Sequence, residues 1–266
     1  LLKIHFLRKM RVAANLTMLY TDVPLLARYE RAAADGFKLV EVSLPYSEKA
    51  EDLKSAADSN GLSHILINAP AGNWSGGQRG IAALASHQIQ FSKSIETSIE
   101  YAKTLQCRKV HVMAGIPTDS DLSNAATVFH ENIRYASEKL GEHGMECLIE
   151  PINPITIPGY HLNSYDQALS IIDRLGLSNL SIQFDLFHAA QMSAGMPTNV
   201  DNWKKRIGHV QVAQSPSRGE PDTEGMIDYG RWFEWLKSSG EDWVIGCEYT
   251  PITKSFDWVN KFGLQF

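Results

Sequence analysis

Short apolar runs that end in one polar residue recur along this chain. Cys147-Leu148-Ile149 stops at Glu150, and Pro151 and Pro154 then bar continuation as helix or strand. Ser181-Ile182-Gln183-Phe184 stops at Asp185, Ile207-Gly208-His209-Val210 at Gln211, and Trp243-Val244-Ile245-Gly246-Cys247 at Glu248. Such runs are the pattern of strands buried on both faces. The polar ends are 35, 26 and 37 residues apart, the length of one strand-helix unit in a barrel of about 250 residues and eight units. Four polar side chains at the C-terminal ends of four successive parallel strands would converge where such barrels do chemistry.

The upstream half carries the same alternation. Residues 11–16 read as a first strand with Ala13 and Asn15 on one face. Asp22 is expected to cap a helix with Pro24 in its first turn, an apolar stripe at Leu25, Leu26, Tyr29, Ala32 and Ala33, and Gly36 past its end. A strand over 39–43 contains Glu41, a helix over 50–59 ends at Asn60-Gly61, and a strand over 64–68 follows. The Gly-rich segment 69–80 has no phosphate-cradling motif, and Trp74 and Arg79 make it a lid. A helix over 86–105, a strand over 109–113, a helical stripe from Leu122 to Leu140 and a capping box at Ser164–Gln167 with Gly176 closing its helix complete the pattern. Residues 215–221 form a long charged loop, and Trp232, Trp235 and Leu236 mark one more helix. The economical fold is a single-domain (β/α)8 barrel over residues 11–266, with 1–10 as an N-terminal extension. An open doubly wound sheet would need a Gly-rich turn after an early strand, which is missing.

Composition narrows the function. A net charge of −5 gives no footprint for nucleic acid or an anionic membrane, and no run of 18 apolar residues spans a bilayer. Three cysteines, an odd number in a large domain, argue against a disulfide framework and for a reducing, cytoplasmic setting. Strand phase turns Cys147 and Cys247 away from the barrel axis, where they pack as small hydrophobes.

Glu150, Asp185, Gln211 and Glu248 are all oxygen donors, and His209 shares a face with Gln211. An all-oxygen site favours a hard cation, Mg2+ or Mn2+, over zinc. Three carboxylates at one mouth without a cation would repel and take up protons. Pairing to Lys or Arg is the structural alternative, but the strands identified above carry none beyond Arg11 and Lys109 at strand starts. A divalent cation stabilises an enediolate, and carboxylates on either side can remove and return a proton. Glu150 and Glu248 are the expected acid/base pair for keto–aldo isomerisation or epimerisation.

At these residues the chain resembles the hydroxypyruvate isomerase family of the xylose-isomerase-like barrel superfamily. The resemblance spans about residues 11–250 and rests on Ala14–Leu19, Pro70-Ala71-Gly72, Arg79–Ala82, Ile149–Asn153, Ile157–Leu162, Gln183-Phe184-Asp185, Ile207–Ala213, Arg218–Pro221 and Gly246–Tyr249. It implies that Glu150 and Glu248 are the acid/base pair and that Asp185 and Gln211 complete the metal shell. Gln214 departs from it, standing where bacterial members are expected to carry an acid. Relatives within the family act on 2-oxo-tetronates, which these motifs do not separate from hydroxypyruvate, and a ketose 3-epimerase of the same superfamily is the competing reading.

His188, Arg218, Glu220, Arg79, Glu41 and Asn68 are the candidate substrate contacts, with Asn15 and His111 lining the other half of the mouth. A loop arginine suits a small hydroxy-oxo acid, whose carboxylate it can bind in bidentate fashion. A homo-oligomer is compatible with this reading. A zinc endonuclease of the same superfamily would need many histidines and a basic face, and a non-catalytic binding barrel would be expected to have lost one of the four ligands.

Overall fold

The computed structural model describes residues 10–192 and 200–266; the expected extension falls almost wholly outside them. Eight strands run in order as β1 (Arg11–Asn15), β2 (Leu39–Val42), β3 (Ser63–Asn68), β4 (Lys109–His111), β5 (Glu146–Ile149), β6 (Leu180–Asp185), β7 (Ile207–Val212) and β8 (Val244–Cys247). They close into one barrel in sequence order, and β8 returns parallel to β1 with Gly246 opposite Ala13. Around it lie α1 (Leu25–Ala34), α2 (Ala50–Ser59), α3 (Gln88–Leu105), α4 (Ala125–Gly141), α5 (Tyr165–Leu175), α6 (Leu186–Met192), α7 (Tyr229–Ser238) and α8 (Asp257–Lys261). This is the (β/α)8 barrel the alternation predicts.

Strand phase divides the chemistry. Val12, Val40, Val110, Ile149, Phe184, Val210 and Ile245 point out into the layer between barrel and helices and are fully buried there. Phe184 shows the strength of this layer. Its ring packs 5.2 Å from Tyr165, 5.5 Å from Trp232 and 6.1 Å from Trp203, between centroids. Truncating such a buried ring costs about 3–5 kcal/mol, so the residue before Asp185 anchors the strand that presents it.

Several local expectations are corrected. Pro24, not Asp22, is the N-cap of α1, and no side chain caps it. Leu122 is 61% exposed because residues 118–124 form a separate turn around the Asp121 carboxylate, so α4 starts three residues later. The strand expected over 109–113 stops at His111, because the segment beyond it meets the loop after β3: Gly80 and Ala114 bridge in antiparallel fashion. A Cβ on Gly80 would lie 2.4 Å from the Met113 carbonyl oxygen, so this crossing needs glycine. The Ser164 cap holds: its hydroxyl accepts the Gln167 N–H, and Gly176 ends α5 in the left-handed region. Cys107, Cys147 and Cys247 are free and buried.

Candidate active site

The barrel axis is lined by polar side chains, which makes it a hydrogen-bonded column rather than an apolar core. Glu41 at the end of β2 is 1% exposed and accepts three bonds: from Asn15 Nδ2 (2.9 Å), Gln211 Nε2 (2.8 Å) and, at 2.7 Å, the ring N–H at His209 Nε2. A Cβ on Gly246 would lie 2.5 Å from the same carboxylate, so glycine there leaves it room. Gln183 Nε2 donates both to Gln211 Oε1 (2.7 Å) and to Glu150 Oε2 (3.1 Å). Buried polar groups persist only when paired, and this chain of bonds carries the column from Glu41 up to Glu150.

Above it the structure brings Glu150, Asp185 and Glu248 together. Asp185 ends β6 and opens α6: its Oδ1 accepts the Phe187 N–H at 2.8 Å, and its Oδ2, fully buried, has no partner. Glu150 Oε1 is likewise buried without one. Donor atoms of Glu150, Asp185 and His188 all lie within 4.8 Å of one another, a group able to hold a metal ion. Gln211 is turned so that its amide nitrogen faces Glu41 and its oxygen takes the Gln183 bond.

Electrostatics mark the cluster as unfinished. Burial, then the charges of Glu248 and Asp185, push the Glu150 carboxyl well above its usual range. Burial raises Asp185 and Glu248 as well, with Arg218 pulling both partway back. His188 and His111 are each held down to about 3, first by burial, with the Arg218 guanidinium adding to the effect at His188. Carboxylate oxygens that are buried, unpartnered and mutually repelling are what a divalent cation would neutralise, so these residues fit one.

The mouth is a cavity of about 330 Å³. Glu150, His188, Arg218, Glu248 and His111 form its polar side, Asn68 and Thr17 the opposite wall, and Met18, Leu44, Met113, Ile152 and Ile157 its apolar part. Arg218 reaches in from the loop after β7. Its Nη2 donates to Glu248 Oε2 at 3.2 Å, its guanidinium sits 4.9 Å from the Phe187 ring centroid, and its Nε has no partner. Trp74 and Arg79 close the rim. Arg79 lies 4.2 Å over the Trp74 ring, and its Nη1 donates to the carbonyls of Trp74 and Gln78, so much of its binding capacity is spent within its own loop.

Glu41 and Glu220 stand apart from that surface. Glu41 is the floor of the column. Glu220, fully buried, accepts the N–H groups of Ile252, Thr253 and Lys254 and the Thr253 hydroxyl at 2.8–3.1 Å, and it borders a neighbouring hollow with Tyr20 and Phe256. Gln214 has a structural reason: its Nε2 donates to the carbonyls of Pro221, Thr223 and Ile227, and its Oε1 accepts from Ser215 and Ile227. Acceptor-only groups such as a carboxylate cannot serve three carbonyls. Gln183 and Asn153, which position Glu150 and His188, carried no assigned role; the period of two back from Asp185 points to Gln183, and nothing local in the sequence points to Asn153.

A "Putative hydroxypyruvate isomerase" of Caenorhabditis elegans is 53% identical over 96% of this chain and 98% of its own. The hydroxypyruvate isomerase of Escherichia coli is 40% identical, over 92% and 95%. The crystal structure of AP endonuclease, family 2 from Brucella melitensis superposes with a TM-score of 0.90 at 35% identity, covering 95% of this chain and 98% of that one. The model of the xylose isomerase-like TIM barrel matches residues 29–262. With the closed barrel, the carboxylates at the ends of β5, β6 and β8, and these likenesses together, the chain belongs to the xylose isomerase-like TIM barrel family.

Proposed function

We propose that the protein is an isomerase that interconverts hydroxypyruvate and 2-hydroxy-3-oxopropanoate by proton transfer through an enediolate. The observation that carries this is the pair Glu150 and Glu248: two carboxyls of raised proton affinity that flank one small cavity which the Arg218 side chain also lines. Two relatives of high coverage bear the hydroxypyruvate isomerase name. Glu150, Asp185, Gln211 and Glu248 would hold Mg2+ or Mn2+, which supplies Lewis-acid stabilisation of the oxygens that become negative.

The chain's own residues then account for the rest. Arg218 binds the substrate carboxylate, with Arg79 at the rim and Asn68 in the facing wall. One glutamate removes a C3 proton from hydroxypyruvate, leaving the enediolate. Protonation at C2, with the hydroxyl proton passing from the C3 oxygen to the C2 oxygen, gives the aldehyde. Acids whose pKa is raised toward neutrality suit both directions of this exchange. His188 faces the reacting carbons, and Trp74 limits entry of water. Glu41 contributes by holding Gln211, and Glu220 by holding the loop that carries Arg218. A small hydroxy-oxo acid is thus the partner, and three buried free thiols fit a reducing cytoplasm. Among the described residues no helix is long and apolar enough to cross a membrane. A net charge of −5 and a mouth walled by carboxylates disfavour a phosphate backbone as ligand.

Proton NMR of hydroxypyruvate with the Mg2+- or Mn2+-loaded enzyme in D2O tests the proposal. Solvent deuterium should enter the product carbon, and Glu248→Gln should lower kcat by about 10²–10⁴-fold. Retention of the substrate hydrogen on carbon would mean hydride shift instead, and absence of turnover would remove the substrate assignment.

A further inference from the structure

The loop after β5 turns on Asn153, whose side chain is fully buried. Its Oδ1 accepts the N–H groups of Ile155 (3.0 Å) and Thr156 (2.8 Å), a local turn that asparagine forms readily. With the oxygen end committed, the amide nitrogen is the end that faces α6, and it lies 2.7 Å from Nδ1 of His188. The backbone N–H of Asn153 is directed at the same ring nitrogen, 3.4 Å away. An amide nitrogen offers hydrogens and no acceptor. Nδ1 of His188 must therefore accept, and the ring proton sits on Nε2.

Nε2 is the atom turned to the mouth, 3.6 Å from Asp185 Oδ2 and 4.0 Å from Glu150 Oε1. By distance alone His188 is a third ligand beside those carboxylates. The tautomer argues otherwise, because a nitrogen that carries its proton has no lone pair to offer a cation. We propose that Asn153 is a positioning residue that locks His188 as a neutral Nε2–H donor, keeping the ring out of the metal shell and aiming one N–H at a substrate oxygen. In the isomerase reading, on which only this last step rests, that N–H meets the oxygen on which enediolate charge develops, where a preorganised donor is most effective.

Asn153→Asp tests this by replacing one donor with an acceptor while keeping the oxygen that makes the turn. Long-range 1H–15N spectra of the metal-free protein, with His188 assigned from a His188→Gln sample, should show Nδ1 bare and Nε2 protonated at pH 7.5. In Asn153→Asp the proton should sit on Nδ1. Titration of Zn2+ against Mg2+ should then favour zinc by about tenfold or more relative to wild type, because an exposed imidazole lone pair suits zinc. Adding His188→Gln to Asn153→Asp should abolish that gain, separating the ring from the added charge. Wild-type His188 protonated on Nδ1, or on both nitrogens, would overturn the proposal, as would an unchanged pattern in Asn153→Asp. If the aspartate variant does not fold, the wild-type spectrum still decides the tautomer. No substrate enters these spectra, so failure of hydroxypyruvate turnover and failure of this proposal are read separately.

Discussion

Glu150→Gln should stabilise the metal-free protein and destabilise the metal-loaded one relative to wild type. Glu150 and Asp185 present oxygens within 4.8 Å of each other, each with one oxygen buried and unpartnered. Two unit charges at that separation repel by about 3 kcal/mol at an effective dielectric near 20. Glutamine removes one charge, and its amide oxygen can still accept the Gln183 Nε2 bond now 3.1 Å from Glu150. The direction with pH follows from the raised carboxyls. Their protons are released in the unfolded chain at lower pH than in the folded one, so stability without metal is greatest in acid and is lost as pH rises through the folded values. Partial protonation relieves some repulsion at neutrality, so the comparison belongs at pH 8.5 in EDTA. There the expected gain is about 1–3 kcal/mol, or about 2–12 °C in Tm at about 2–4 °C per kcal/mol. Mn2+ or Mg2+ at a thousandfold excess over Kd should reverse the order, since wild type then gains about 4.1 kcal/mol and the variant, lacking a ligand, gains far less. Differential scanning calorimetry reads both conditions. A lower Tm for Glu150→Gln in EDTA would show that the cluster is not held together against its own charge, and the case for a cation at this site would lose its basis.

Three further outcomes are expected. Arg218→Ala should raise KM for hydroxypyruvate about tenfold or more while leaving metal affinity, measured by calorimetry, close to wild type; unchanged KM would remove Arg218 from anion binding. Glu41→Gln replaces a three-bond acceptor and frees Gln211 to turn, so metal Kd should rise by about 10–100-fold; equal Kd values would show that Gln211 needs no anchor. His64, whose Nε2 lies 2.8 Å from the Tyr29 hydroxyl, is held down to about 4 by burial. The unfolded chain therefore takes up its proton first, and stability should fall by up to about 3 kcal/mol between pH 6.5 and 4, a slope that urea titrations should find missing in His64→Gln.

The sequence made the barrel legible because four runs end in a polar residue at unit-length spacing, and each of those residues falls at a strand end. It put Arg218 and His188 at the mouth from loop and helix position alone, and both line the cavity there. It could not place Glu220, because a carboxylate two residues past an arginine looks like a second site residue until the N–H groups it accepts, more than 30 residues away, are in view. Leu122 misled for a local reason: an aspartate-centred turn interrupts a perfect helical period. Asn153 shows the deeper limit. Its meaning depends on which end of one amide faces a ring 35 residues downstream, and no spacing rule carries that information.

The Glu220 carboxylate joins the loop that bears Arg218 to the loop after β8, and Thr250 N–H adds a bond to the Arg218 carbonyl. Neither loop can then swing outward alone without stranding buried donors and acceptors. Hydrogen exchange at residues 218, 250 and 252–254 should follow a single opening event, and release of a ligand held by Arg218 is expected on the timescale of that joint motion rather than of a side-chain flip.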